Sequence, residues 1–159
     1  MNRRAALCLA AAASTGCVDA AAISEDVPRD PEPLQRWLAA GEYEDWESES
    51  AVFVNDNGIA ARIFVDPSLA QSLEEGRRQH PVGATAVREI YEPDQTTLMG
   101  WAAVVKLRDD DGGAGEWLWF EVFETDPDAD PLVAESAAPG CVTCHDAAAD
   151  AVQSAFPLR

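Results

Sequence analysis

The run Trp117-Leu118-Trp119-Phe120-Glu121-Val122-Phe123 constrains this chain more than any other segment. In an extended strand, successive side chains point to opposite faces. Trp117, Trp119 and Phe123 then share one side, and Leu118, Phe120 and Val122 share the other. Both faces are apolar, so the strand must be covered twice, which excludes a sheet with one solvated face at this point. The aromatics serve as core unless a further feature assigns them to a site.

The flanking sequence supplies the rest of such a sheet. Ala51 to Val54 and Arg62 to Val65 are β-favouring runs around Asn55-Asp56-Asn57-Gly58, whose Asn-Gly marks a hairpin turn. Thr85 to Tyr91 alternates, with Ala86, Arg88 and Ile90 on one face and Val87, Glu89 and Tyr91 on the other. Leu98 to Leu107 follows a turn at Pro93-Asp94 and leads into the acidic, glycine-rich loop from Asp109 to Gly115. Leu34, Trp37 and Leu38 stand at helical spacing in a short amphipathic helix that Gly41 ends. Asp66 caps a second helix with Pro67 in its first turn, Leu69 and Leu73 as its buried stripe and Gly76 at its end. Five strands and about three helices in this order predict an α+β domain with a predominantly antiparallel sheet and a few flanking helices. At 159 residues the chain has room for one such domain, and its 47% hydrophobic content excludes wholesale disorder.

Chemistry concentrates near the C-terminus, at Cys141-Val142-Thr143-Cys144-His145. Two thiols three residues apart lie on one side of a helical turn, where both reach the vinyl groups along one porphyrin edge. The adjacent imidazole then sits beneath the iron as its axial ligand. The motif therefore reads as the attachment site of one covalent haem c, held by Cys141 and Cys144 with His145 on the metal. Three other uses of the pair compete. A structural zinc needs four ligands, and His80 is the only histidine beyond this motif. A thioredoxin-like pair opens a helix after an early strand, whereas this pair comes late, after an acidic, Pro-containing loop. A small-loop disulfide leaves His145 unexplained.

The N-terminus reads as an address. Arg3 and Arg4, the apolar Ala5 to Ala13 and the small residues Ser14-Thr15-Gly16 before Cys17 form an export leader over residues 1–16. The cysteine after the small triplet resembles a bacterial lipobox, with Cys17 as the lipid attachment point and Ser14 in place of the usual leucine. An ordinary cleaved signal with Cys17 as bystander is the competing reading. Residues 17–33, rich in Ala, Pro and acid, read as a tether, and residues 34–159 as the haem domain. Both leader readings place the protein outside the cytoplasm, on the periplasmic side of the envelope; where Cys17 is lipidated, that lipid anchor is the only membrane contact expected. The formal charge of -18 repels phosphate backbones and anionic head groups, so nucleic acid is excluded as a partner. It offers steering of a basic redox partner, although solubility or salt adaptation explains it equally.

Taken together, these segments resemble the cytochrome P-460 family, which includes the β-sheet cytochromes c-prime-beta. The likeness runs from Arg62-Ile63-Phe64-Val65-Asp66-Pro67 through Gly83-Ala84-Thr85-Ala86-Val87-Arg88-Glu89-Ile90, Val105-Lys106 and Trp117-Leu118-Trp119-Phe120. It ends with Cys141 to His145 and a trailing Phe156-Pro157-Leu158. The resemblance implies a mainly antiparallel sheet, a homodimer, a five-coordinate haem with His145 proximal, and nitric oxide binding or hydroxylamine oxidation as activities. In the hydroxylamine-oxidising members a strand lysine is joined to the porphyrin. Arg88 stands at that position here, and a permanently protonated guanidinium is a poor nucleophile.

Arg88 has two available roles: facing the haem, toward a propionate or an iron-bound ligand, or pairing with a surface acid. Its apolar neighbours Ala86 and Ile90 favour the first. Arg62 is a second haem-facing candidate, subject to a one-residue uncertainty in register that would turn it to the other face. Lys106, the only lysine, is expected to be an exposed strand residue. Met99 and His80 are the available sixth ligands, and the resemblance favours an open sixth position. Glu89 and Glu121 are candidate proton acceptors, against the plainer expectation of solvated acids. The chain thus reads as an electron-transfer or gas-binding haem protein, with an oxidoreductase acting on hydroxylamine or another nitrogen oxide as the alternative.

Overall fold

The computed structural model describes residues 27–110 and 113–159. Seven strands form one sheet: β1 (Glu47–Ser48), β2 (Phe53–Val54), β3 (Ala60–Val65), β4 (Thr85–Tyr91), β5 (Leu98–Lys106), β6 (Trp117–Val122) and β7 (Val133–Ser136). Every pairing is antiparallel. The path runs β1-β3-β4-β5-β6-β7, and β2 also pairs with β3. Helices α1 (Pro31–Ala39), α2 (Pro67–Glu74) and α3 (Pro139–His145) flank it. The domain is α+β and mainly sheet, as the strand patterns predict. The five expected strands are present, while β1, two polar residues, and β7, four residues of which two are polar, carry no periodic signal.

Local chemistry explains most boundaries. The hairpin joins β2 to β3 with Phe53 opposite Ala61, and the Asn55 side chain accepts from the Asn57 and Ile59 amides across the turn. The Asp66 carboxylate accepts from the Ser68 and Leu69 amides, capping α2, and from the Thr85 amide, which ties that cap to β4. Gly41 and Gly76 take positive φ just past α1 and α2, as helix stops require. α1 begins earlier than the apolar spacing suggests, because Pro31 is preorganised for a first helical position. Residues 31–33 of the expected tether are therefore helical, and Val27 before them is buried in the core. Residues 17–26 and the leader lie outside the described residues.

The two faces of the sheet are filled differently. Leu34, Leu38 and Tyr43 cover one face by packing with Phe64, Val87, Ala103, Val105, Leu118, Phe120 and Val122. On the other, Leu69 of α2 and Ala138 and Ala151 near α3 join Trp117 and Trp119, as the doubly apolar β6 demands. Each large side chain buried this way contributes about 1.5–3 kcal/mol. The second face is filled only toward one end. Ala86, Arg88, Ala102 and Val104 remain half-buried there, while their neighbours Val87, Glu89, Ala103 and Val105 are buried.

Candidate functional site

Helix α3 carries the cysteine-histidine motif over the incompletely covered face. Pro139 opens it, and the Cys141 and Cys144 thiols, one helical turn apart, are both free. Burial, reinforced by the negative charge of Glu121, pushes the Cys141 thiol up from its ordinary value. A redox-active cysteine pair requires the opposite shift, so a thioredoxin-like use is disfavoured. Among the described residues no group of three or more His, Cys, Asp or Glu side chains is arranged to hold a metal ion by itself.

The His145 ring is held from two sides. Its Nδ1 lies 2.7 Å from the Ala151 carbonyl. A carbonyl only accepts, so Nδ1 carries the proton and Nε2 of the neutral ring keeps its lone pair. Trp119 meets the ring edge to face, with centroids 4.7 Å apart. The arrangement orients one free imidazole nitrogen, which is what an axial ligand requires.

Cys141, Cys144 and His145 border a cavity of about 740 Å³, within the usual range for cofactor sites. Its sheet wall includes Ile63, Ala86, Arg88, Ala102, Val104 and Glu121. These residues share a face because Ile63 pairs with Arg88, Arg88 with Ala102, and Ala102 with Glu121. The Nη2 atom of Arg88 is buried and has no hydrogen-bond partner among the described residues. The C-terminal segment closes another side through Leu158 and Arg159, whose guanidinium lies over Phe53 and reaches Glu49 at 3.2 Å.

Other candidates lie elsewhere. Arg62 does not line the cavity. Ile63, not Arg62, stands opposite Arg88, and Arg62 donates to the Glu49 carbonyl and the Ser48 hydroxyl. Glu89 is on the α1 side, where it accepts from the Tyr43 and Tyr91 hydroxyls at 2.9 and 2.6 Å. It is buried and not the solvated acid that sequence alone suggests. Met99 and His80 are not among the cavity-lining residues. His80 is buried, with Nδ1 at 2.9 Å from the Ser72 hydroxyl. Cys17 lies outside the described residues.

The expectation of an exposed Lys106 is overturned: the residue is fully buried. Its ammonium pairs with Asp150, with Asp109 at 3.2 Å and with Glu116 at 3.5 Å, and so compensates the cost of leaving water. Burial alone would lower its pKa, but the hydrogen bond and charge of Asp150, joined by Asp109, hold it above the ordinary lysine value. Residues Glu49, Asp150, Ala151 and Arg159 carry no motif and reach the site region only through tertiary contacts.

A haem fits these residues. The cavity offers two thiols on one side of a helix, an imidazole with one free nitrogen, apolar walls, and a buried guanidinium atom that lacks the acceptor a propionate or bound ligand would provide. No curated protein matches the chain. The family model for cytochrome P460 matches residues 40–153, a span that contains β1 to β7, the sheet wall of the cavity and all of α3. With that match over most of its length, the chain belongs to the cytochrome P460 family and is a haem protein.

Proposed function

We propose that this protein is an exported cytochrome with one haem c, joined through thioethers to Cys141 and Cys144 and ligated by His145, which binds a small gas such as nitric oxide or passes single electrons to a redox partner. The observation that carries this reading is the convergence of the motif and Arg88 on one cavity, with Met99 and His80 outside its lining. Haem iron held there supplies a redox-active metal that takes small ligands. His145 orients its free nitrogen through the Ala151 bond, the apolar wall excludes water, and Arg88 offers N–H donors to a propionate or a bound ligand. Among these uses, reversible ligand binding is best supported, since a dedicated carrier normally fills both axial positions.

Residues 1–16 act as the leader, Cys17 as the lipid attachment point and the following acidic stretch as the tether, which puts the domain on the periplasmic side. The homodimer implied by the family resemblance is part of the same proposal. Expression with haem-maturation machinery, followed by intact mass and absorption spectra, tests the reading. Covalent haem that disappears in Cys141→Ser/Cys144→Ser, and a ferrous spectrum that changes on nitric oxide addition, are expected. Colourless protein at the mass of the bare chain would sink it.

A second reading, oxidation of hydroxylamine, is favoured by one observation: Glu121 lines the cavity on the same face as Arg88 and so presents a carboxylate that can accept a proton. Hydroxylamine turnover with a soluble acceptor, abolished by Glu121→Gln, would establish it. Absence of turnover leaves the gas-binding reading.

A further inference from the structure

Asp150 gathers three donors, from two strands and from the loop between α2 and β4. Its Oδ2 accepts from the Lys106 ammonium on β5 and, at 2.6 Å, from the backbone N–H of His80. Its Oδ1 accepts from the Trp117 indole of β6 at 3.2 Å. Both Lys106 and Asp150 are buried. Asp150 and the following Ala151 adopt φ of 47° and 64°, a left-handed conformation that residues with a Cβ rarely take. Two such residues in succession persist only if surrounding contacts hold them. The product of that turn is the Ala151 carbonyl aimed at His145 Nδ1.

We propose that Lys106 and Asp150 are a positioning pair for His145: their ion pair pins the Asp150-Ala151 turn and so sets the orientation and basicity of the imidazole on the iron. The proposal rests on the reading of His145 as axial ligand. A buried ion pair is a poor source of net stability, because desolvation of the two charges offsets most of their attraction. A role in geometry accounts for the placement of the only lysine better than a role as fold glue does. The carbonyl acceptor strengthens the donor properties of the ring, as such outer contacts do for metal-bound histidines. Trp119 completes the clamp from the sheet.

The test uses haem-loaded protein with Asp150→Asn and Lys106→Met, and Arg36→Gln as a remote charge control. Resonance Raman spectra of the ferrous form report the iron–histidine stretch, voltammetry the potential, and NMR the exchange of the His145 Nδ1 proton. Both pair variants are expected to keep covalent haem by mass while the stretch moves to lower frequency, the potential rises and Nδ1 exchange accelerates. The control should match the wild type. Lower thermal stability with an unchanged stretch, potential and exchange rate would overturn the proposal and leave the pair a fold anchor.

If both variants fail to fold, the wild type and Asp109→Asn decide. Slow Nδ1 exchange in the wild type, with a smaller shift of the stretch in Asp109→Asn, supports the proposal. Exchange as fast as in a solvated imidazole overturns it. His145→Ala separates the two levels: an iron–histidine stretch that survives this change removes the axial reading itself and the proposal with it.

Discussion

The His145 imidazole stands edge-on to Trp119, with ring planes inclined at 64°. A strand residue buried to 3% exposure thus braces a side chain that sits on a short helix with no fully buried residue of its own. Trp119→Ala should remove that brace and enlarge the cavity, at a cost of about 3–5 kcal/mol. Trp119→Phe keeps a ring and should cost less. Denaturant unfolding of both variants measures the difference.

Arg88 presents a buried Nη2 atom without a hydrogen-bond partner among the described residues. An unsatisfied buried donor costs about 1–3 kcal/mol, so Arg88→Leu should leave the haem-free chain as stable as the wild type or more so. In haem-loaded protein the same change should speed nitric oxide dissociation, because a donor to the bound ligand or propionate is gone. Melting of the haem-free chain and stopped-flow dissociation check the two halves separately.

On the opposite face, Tyr43 receives the Trp101 indole N–H at 2.8 Å and donates to Glu89 at 2.9 Å. Tyr43→Phe leaves an indole donor unpaired and takes one donor from a buried carboxylate. A loss of about 1–3 kcal/mol is expected by chemical denaturation, with little change in the haem spectrum.

Stability should hold a plateau in pH. Burial lowers the His80 pKa below its ordinary 6.5, with Lys106 adding to the effect and Asp150 opposing it. The unfolded chain then binds that proton more readily, so the His80 contribution is present above pH 6.5 and is lost as pH falls through the folded value. Burial, then the charge and hydrogen bond of Glu89, raises Tyr43 above its ordinary 10.0; burial and Glu89 raise Tyr91 as well. Lys106 is raised above 10.5 by Asp150 in spite of its burial. These three contributions are fully present below the ordinary values and are lost as pH rises through the folded ones. Urea midpoints across pH 5 to 11 are expected to decline at both ends, and a midpoint still rising above 10.0 would contradict the assignments.

Local signals explain how much was legible. The Asn57-Gly58 turn, the Asp66 cap, the alternation of β4 and the two-sided apolarity of β6 each act within a few residues, so periodicity exposes them. β7 was not legible, because four residues with two polar ones become a strand only when β6 offers its edge. A single residue of register separates Arg62 from the cavity face, and hydrogen bonding between β3 and β4, not local sequence, decides it. Lys106 reads as exposed from the sequence because its partner Asp150 is remote in the chain, and lysine burial depends on such a partner.

The amino-acid order alone determined that this chain has a doubly covered aromatic strand, an antiparallel α+β scaffold and a paired-thiol motif followed by an imidazole. Those properties follow from spacing and covalent chemistry. Only the tertiary structure decided that Arg88 and Glu121 share the cavity with the motif, that Arg62 and Glu89 do not, and that Lys106 reaches Asp150 behind His145. Strand pairing and burial set those relations, and both depend on residues distant in the chain meeting in space.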